Sequence, residues 1–424
     1  MNPETRKRWA AKAILSIAQA FPPPEFNNWA ECGRLRSQAK HAHQEIETWK
    51  LESEPLGRLL NDYGCFLSHQ GHFDVSVAVL RDAVRIEEGM RGAEHPEVAS
   101  CLTNLSQSLK ALNRLPEAEE LQARALEIDQ RHCGTEYETV ATDLNNLAQI
   151  YVSLGRWSDA EPMMRHALSI DQRLKVDNGS ALARDLNNLG QLLHTLNKHT
   201  EAEDLIRQAA AISDQAQGSN HPETMKCRNN LALLLLDLGD YGGAAALLHD
   251  NLAAAENTYG TDHPVVATRL DNLAQCLQMQ EQFVESEACI RRAMAITQCA
   301  YGEEHPSYAT RLNNLAMLRL KQGRHAEAEP LMRTALAINE AAFGLQHTAV
   351  SRNKSNLADV LGAAARFKEA ETLMRDSLDV DTQLLGPRHP VVAGRLSSLG
   401  MLLKATNRLT EAEGCLRQAL EVFK

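Results

Sequence analysis

The stretch HPVVATRLDNLAQCL (His263–Leu277) and its counterpart one period later, HPSYATRLNNLAMLRL (His305–Leu320), decide the fold of this chain. Both turn on an Asn, Asn272 and Asn314. The same phrase returns around Asp62, Asn104, Asn146, Asn188, Asn230, Asn356 and Ser398, always 42 residues apart and without insertion or deletion. A fixed period of this length marks a solenoid whose units pack only on their neighbours.

Each phrase is followed by a second helical run such as HAEAEPLMRTALAINEAAFG (His325–Gly344), so one repeat is two helices and a turn. Apolar residues at Leu312, Leu315, Ala316 and Leu320 follow the stripe of an amphipathic helix. Small residues hold fixed offsets where helices must approach closely. They run from Gly64 through Ala148 and Gly190 to Gly400 in the first helix, and from Ser76 through Ala160 to Ala412 in the second. Gly92, Gly134, Gly218, Gly260, Gly302, Gly344 and Gly386 fall where the second helix should end, which predicts left-handed caps. Pro96, Pro222, Pro264, Pro306 and Pro390 each follow a His and suit the first turn of the next helix. The turn KVDNGSALA (Lys175–Ala183) lacks these signals. Arg228, Lys354, Arg319 and Asn251 interrupt packing columns, so regularity is expected to be weakest there.

The small-residue columns, with G-x-x-H-P, L-N-N-L-A and E-A-E-x-L-x-R-x-A-L on a 42-residue period, resemble tetratricopeptide repeats of the kinesin light chain type over residues 55–424. That resemblance implies an all-α, right-handed superhelical α-solenoid of about nine repeats. Residues 1–54 are off register but show two helical segments split by FPPPEF (Phe21–Phe26), and are expected to cap the first repeat. The wording AAKAILSIAQAFP and FNNWAECGRLRSQAKHA also resembles the region that precedes such repeats in STAND-class signalling NTPases. That resemblance implies a sensor or adaptor working with a separate NTPase or effector.

Composition excludes several classes. The nine cysteines form no C-x-x-C pair and read as reduced core residues of a cytoplasmic protein. No apolar run reaches membrane-span length, so no membrane is expected. A net charge of −11 argues against nucleic acid, which needs a basic footprint. No G-x-x-x-x-G-K-[ST] or H-E-x-x-H motif and no assignable nucleophile set occurs, so neither an enzyme nor a cofactor is expected. The His column (His95, His221, His263, His305, His347, His389) cannot share metal ions, because helices of adjacent repeats lie ~8–10 Å apart while ligands lie ~2 Å from an ion. These residues are expected to satisfy backbone groups at helix starts. The Arg column of the second helix is expected to pair with Glu four residues earlier, as Glu161 and Arg165 would.

Two adjacent Asn columns remain. The second of each pair is expected to be buried and bonded to backbone of the neighbouring repeat. The first, with the positions three before and four, seven and eight after it, is expected to face a concave groove. The groove candidates are Asn145, Gln149, Arg184, Asn187, Gln191, Lys226, Asn229, Gln275 and Asn313. Over these five positions in nine repeats, seven residues are basic (58, 110, 184, 226, 321, 352, 404) and three acidic (237, 271, 359), a balance of +4 on a chain of −11. An extended partner segment with acidic side chains suits such a surface. The kinesin light chain resemblance implies the same mode of peptide uptake. The last helix, LTEAEGCLRQALEVFK, carries apolar Leu420 and Phe423 and suggests stacking on another copy.

Overall fold

The structure, a computed structural model, describes residues 2–25, 28–174 and 179–422. Phe26, at the end of the FPPPEF breaker, the junction residues 175–178, and Phe423 lie outside them. The described helices are α1 Pro3–Ala20, α2 Trp29–Trp49, α3 Glu54–His69, α4 Phe73–Arg91, α5 Pro96–Ala111, α6 Leu115–Cys133, α7 Glu138–Ser153, α8 Trp157–Leu174, α9 Ser180–Thr195, α10 His199–Gln217, α11 Pro222–Asp237, α12 Tyr241–Tyr259, α13 Pro264–Met279, α14 Phe283–Tyr301, α15 Pro306–Lys321, α16 His325–Phe343, α17 Thr348–Ala363, α18 Phe367–Leu385, α19 Pro390–Ala405 and α20 Leu409–Val422. No strand occurs among the described residues. The chain divides into two compact units, Met1–Asp177 and Asn178–Lys424. Each unit is an α-solenoid in which every odd-numbered helix from α3 onward packs on the even-numbered helix that follows it.

The geometry explains the period. A first helix of 16 residues (α5) and a second of 19 (α6) leave three residues for the turn inside the repeat and four for the turn between repeats. The inner turn has a column of positive φ at Gly71, Asn113, Gly155, Asn197, Gly239, Glu281, Gly323, Ala365 and Asn407. Gly and Asn take this conformation at little cost, so Glu281 and Ala365 are the strained members. The turn closes as a Schellman motif, with Arg114 N–H donating to Leu109 O at 2.9 Å. At the outer turn the Gly column differs from expectation in ψ: Gly92 sits at φ 88°, ψ 156° and Gly302 at φ 85°, ψ 173°. This is the extended positive-φ region rather than the left-handed helical one, and it excludes side chains more strictly. At the junction before α9, Gly179 stands at the helix start in the left-handed conformation and supplies no side-chain cap.

Small residues set the spacing inside each pair. A Cβ added to Gly190 would lie 2.5 Å from Ile206 Cγ1, and one on Gly400 2.8 Å from Leu416 Cγ. Between these columns lie buried Leu105, Leu147, Leu189, Leu231, Leu273, Leu315, Leu357 and Leu399, one in each repeat from the second to the ninth. In the first unit, α1 and α2 pack on α3. Phe21 meets Tyr63 and Phe66 edge-on at 6.1 and 6.5 Å, over a core that includes Ile14, Cys32, Ala39 and Ile46.

The interrupting residues are all paired. Buried Arg319 donates to Glu287 at 2.5 and 2.9 Å. Arg228 meets Asp214 at 3.1 Å, Lys354 meets Asp376 at 3.9 Å, and Asn251 Nδ2 donates to Met225 O at 2.8 Å. The Arg column pairs with Glu one turn earlier, as in Arg165–Glu161 at 2.9 Å and Arg375–Glu371 at 2.8 Å, except at Arg81, which follows Val77 and meets Glu117 at 2.9 Å. All nine cysteines are free thiols, but Cys133 and Cys299 are exposed, so the expectation of a core role fails for those two.

The His column does cap helices. Nδ1 of His95, His221, His263, His305, His347 and His389 accepts the N–H two residues on, at 3.1 to 3.3 Å. His263, His305 and His347 also stack on Tyr259, Tyr301 and Phe343, at 4.9, 4.5 and 4.3 Å. Burial pulls His221, His263, His305 and His347 below the ordinary imidazole value. Such a group contributes stability that is present above its unfolded value and lost as pH falls toward the lowered folded one. Protonating Nδ1 also removes the cap acceptor. Between about pH 7 and about pH 5 the wild type should lose stability that a His305→Asn variant retains, by about 1 kcal/mol for that cap. Urea midpoints measured across this range check it; parallel profiles for the two proteins would contradict the cap assignment.

Candidate functional site

First helices of adjacent repeats touch directly: α3 with α5 and α5 with α7 in the first unit, and α9, α11, α13, α15 and α17 in succession in the second. No two second helices pack to that degree among the described residues. The first helices therefore line the inner side of each unit.

The paired Asn columns form a ladder along this inner side. Asn104 Nδ2 donates to Asn61 Oδ1 at 3.0 Å, Asn230 to Asn187 at 2.9 Å, Asn272 to Asn229 at 2.5 Å, Asn314 to Asp271 at 3.0 Å and Asn356 to Asn313 at 2.7 Å. The partner is thus the side chain of the first Asn of the preceding repeat, not backbone as the spacing alone suggested. One column orders the other, because a buried amide must place both its donors and its acceptor.

This bears on where each candidate stands. Asn145 and Gln149 lie on α7 of the first unit; the other seven lie on α9, α11, α13 and α15 of the second. Asn145, Asn187 and Asn229 are buried, at 1%, 0% and 9% exposure, and Asn313 is half-buried. Gln149 accepts from Lys110 Nζ at 2.5 Å. Gln191, Lys226 and Gln275 are exposed on α9, α11 and α13. Arg184 is half-buried, with Nε 3.2 Å from Asp185 Oδ1, and Lys226 pairs with Glu223 at 2.9 Å. The Asn column forms the floor, and the long polar and basic side chains stand above it.

One polar cluster escaped the sequence reading. In the second repeat Thr103 replaces the first Asn and donates to Asp143 Oδ1 at 2.9 Å. Gln122 Nε2 reaches the same oxygen at 2.8 Å and accepts from Ser106 Oγ at 2.6 Å. Asp143 Oδ2 receives no donor, and the carboxyl it faces is that of Asp129. The two are 3% and 8% exposed. Burial, reinforced by the Asp129 charge, pushes Asp143 up to about 7 against the opposing bond from Thr103. Asp129 is likewise raised by burial. Burial thus favours the protonated form of both carboxyls. The available signal was polarity 14 residues apart across a turn between repeats, where two helix ends meet.

A second cluster, His43, Glu47 and Asp82, has metal-competent atoms within 4.8 Å of one another. Its atoms partner one another and Arg85: His43 Nε2 lies 2.9 Å from Asp82 Oδ2, and Arg85 holds Asp82 Oδ1 at 3.2 Å. No described helix is long and apolar enough to cross a membrane.

No curated protein matches the chain in sequence. Among solved structures of similar fold, a Rap protein complexed with competence and sporulation factor is 13% identical, with a TM-score of 0.52 over 86% of this chain and 99% of that one. Aspartyl phosphate phosphatase F from Bacillus subtilis is 15% identical, with a TM-score of 0.51 over 88% and 94%. Repeats of a putative kinesin light chain from Podosopora anserina are 24% identical, with a TM-score of 0.40 over 49% and 98%. The tetratricopeptide repeat model matches residues 56–131, 107–173, 138–215, 182–250, 228–298, 270–341 and 348–424. With that model running through both units on helix pairs of one build, the chain belongs to the tetratricopeptide repeat family and is a scaffold for a protein or peptide partner.

Proposed function

We propose that the inner face binds an extended, acidic segment of a partner protein, with Arg184, Gln191, Lys226 and Gln275 as its principal contacts. The observation that carries this is the charge inversion: the inner positions hold seven basic and three acidic residues on a chain of net charge −11. The Asn ladder supports it by making the floor rigid, which lowers the entropy lost when a ligand docks. Arg184 and Lys226 already lean on Asp185 and Glu223. A ligand carboxylate therefore extends existing ion pairs rather than bringing isolated charges together. A Rap protein of similar fold is solved in complex with competence and sporulation factor, which lends the mode plausibility.

The test is the Arg184→Glu/Lys226→Glu variant, its helicity confirmed by circular dichroism. Binding of an acidic peptide selected from a random display library on the wild type should weaken by about tenfold to a hundredfold, as two charge-assisted contacts turn repulsive. Undiminished binding by the folded variant would refute the reading.

A further inference from the structure

Each turn between repeats brings a side chain near the end of one second helix against a side chain 14 residues later on the next first helix, and this slot is polar in several repeats. At the α16/α17 turn it holds two amides, with Asn339 Nδ2 donating to Asn353 Oδ1 at 2.9 Å. At the α18/α19 turn it holds a salt bridge, with Arg395 Nε 2.9 Å from Asp381 Oδ2. At the α6/α7 turn the same slot holds Asp129 and Asp143. The Asp of the α18/α19 pair is kept at this turn and its Arg is replaced by a second Asp. The chain itself thus shows a guanidinium fitting this slot in one repeat and lacking from it in another.

The α6/α7 slot also opens outward. Asp129 and Asp143 line a recess of about 310 Å³ with Ser100, Thr103, Glu138, Thr139 and Thr142, and Ser100, Thr103 and Thr142 occupy inner-face positions. No Lys or Arg lines it. The buried Asp143 Oδ2 has no donor. The charged and titratable groups facing the pair are Glu138 on α7 and, beside Asp129, His132 on α6.

We infer that this recess receives the guanidinium or ammonium end of a basic side chain carried by a bound peptide segment, an inference that rests on the inner face of each unit being a peptide groove. The cation takes the place that Arg395 holds against Asp381, donates to Asp143 Oδ2 and the Asp129 carboxylate, and favours the ionised form of both. Binding there is accordingly linked to proton release. A segment bound on the inner face of the first unit carries a Lys or Arg where it crosses the second and third repeats.

The probe is N-acetylarginine amide, with N-acetylcitrulline amide as its uncharged near-isostere. The control variant is Asp129→Asn/Asp143→Asn, which installs the pair the chain already uses at Asn339 and Asn353. Arginine amide should raise the thermal midpoint of the wild type more than citrulline amide does. Its affinity should exceed that of citrulline amide by at least about tenfold, and should fall as pH drops from about 8 to about 6. The control variant should lose both the preference and the pH dependence. In display selection the wild type should enrich Arg or Lys at one position and the variant should not. Equal response to both probes, or an equal response in the variant, overturns the proposal. Stabilisation by magnesium or calcium in place of arginine amide overturns it in favour of a metal. Arginine amide binding with no peptide enrichment overturns the peptide as the source of the cation, whereas peptide binding on the second unit stands or falls separately on Arg184 and Lys226.

Discussion

An Arg395→Leu substitution is expected to destabilise the second unit by about 3–5 kcal/mol, the largest loss we anticipate for any single change in this chain. Asp381 is fully buried, and Arg395 Nε, at 2.9 Å, is its bonded cation. Its other oxygen, Oδ1, has no donor at all. Removing the guanidinium would leave a carboxylate in a dry interface with nothing to balance it. The loss should extend to Asp359, on which the Arg395 charge also acts. A double variant, Asp381→Asn/Arg395→Asn, removes both charges and copies the amide pair of Asn339 and Asn353, so it should recover most of the loss. Urea midpoints of the three proteins decide the matter. If the double variant is as unstable as the single one, lost packing of the Arg stem, not the orphaned charge, is the cause.

The second large effect has the opposite sign. Asp143→Asn should stabilise the first unit at about pH 8 by about 2–4 kcal/mol. The amide keeps an acceptor for Thr103 and Gln122, and it offers Asp129 a donor in place of a second carboxylate. The sign follows from the direction of the shift. Asp143 titrates at about 7 when folded, above its ordinary 3.8, so the folded state favours the protonated form. Stability from this group is therefore fully present below about pH 4 and lost as pH rises through about 7. The wild type should lose stability across that window and the variant should show little of the loss. Hydrogen exchange of α6 and α7 amides localises the effect, because neighbours in a repeat array open semi-independently. A variant no more stable than the wild type at about pH 8, with the same pH slope, would show that the acid pair carries no penalty.

Both predictions concern residues that a reading of the repeat phrase passes over, and the reason is physical. The phrase records what most repeats share: a small residue where the two helices meet, a Leu in the core layer, a His at the cap. Those constraints act within one repeat or between immediate neighbours, so they recur every 42 residues and are legible without coordinates. The slot at the turns between repeats obeys a looser rule. It asks only that two side chains satisfy one another, and amide pair, salt bridge and acid pair all meet that demand, so no residue type recurs. Periodicity identifies a position there without identifying its chemistry.

The groove shows the same division. The sequence assigned an inner face and its excess of basic residues to the first helix of each repeat, the helices that touch from repeat to repeat within each unit. It assigned the Asn columns to separate tasks, whereas in the folded chain Asn187 and Asn230 satisfy one another, leaving Gln191, Lys226 and Gln275 exposed above them. A side chain's spacing tells which way it leaves the helix, but only the neighbouring repeat decides whether its polar atoms remain available.

By itself, then, the sequence determined the repeat, its two helices, its turns and its caps, because each rests on local backbone conformation and close helix approach, which few residue types permit. Tertiary structure alone decided which polar groups are consumed and which are left wanting. The approach of Asp129 to Asp143, and of Arg395 to Asp381, depends on how one repeat seats on the next. Hydrogen bonding and charge balance are settled only when both partners are in place and water has been excluded from between them.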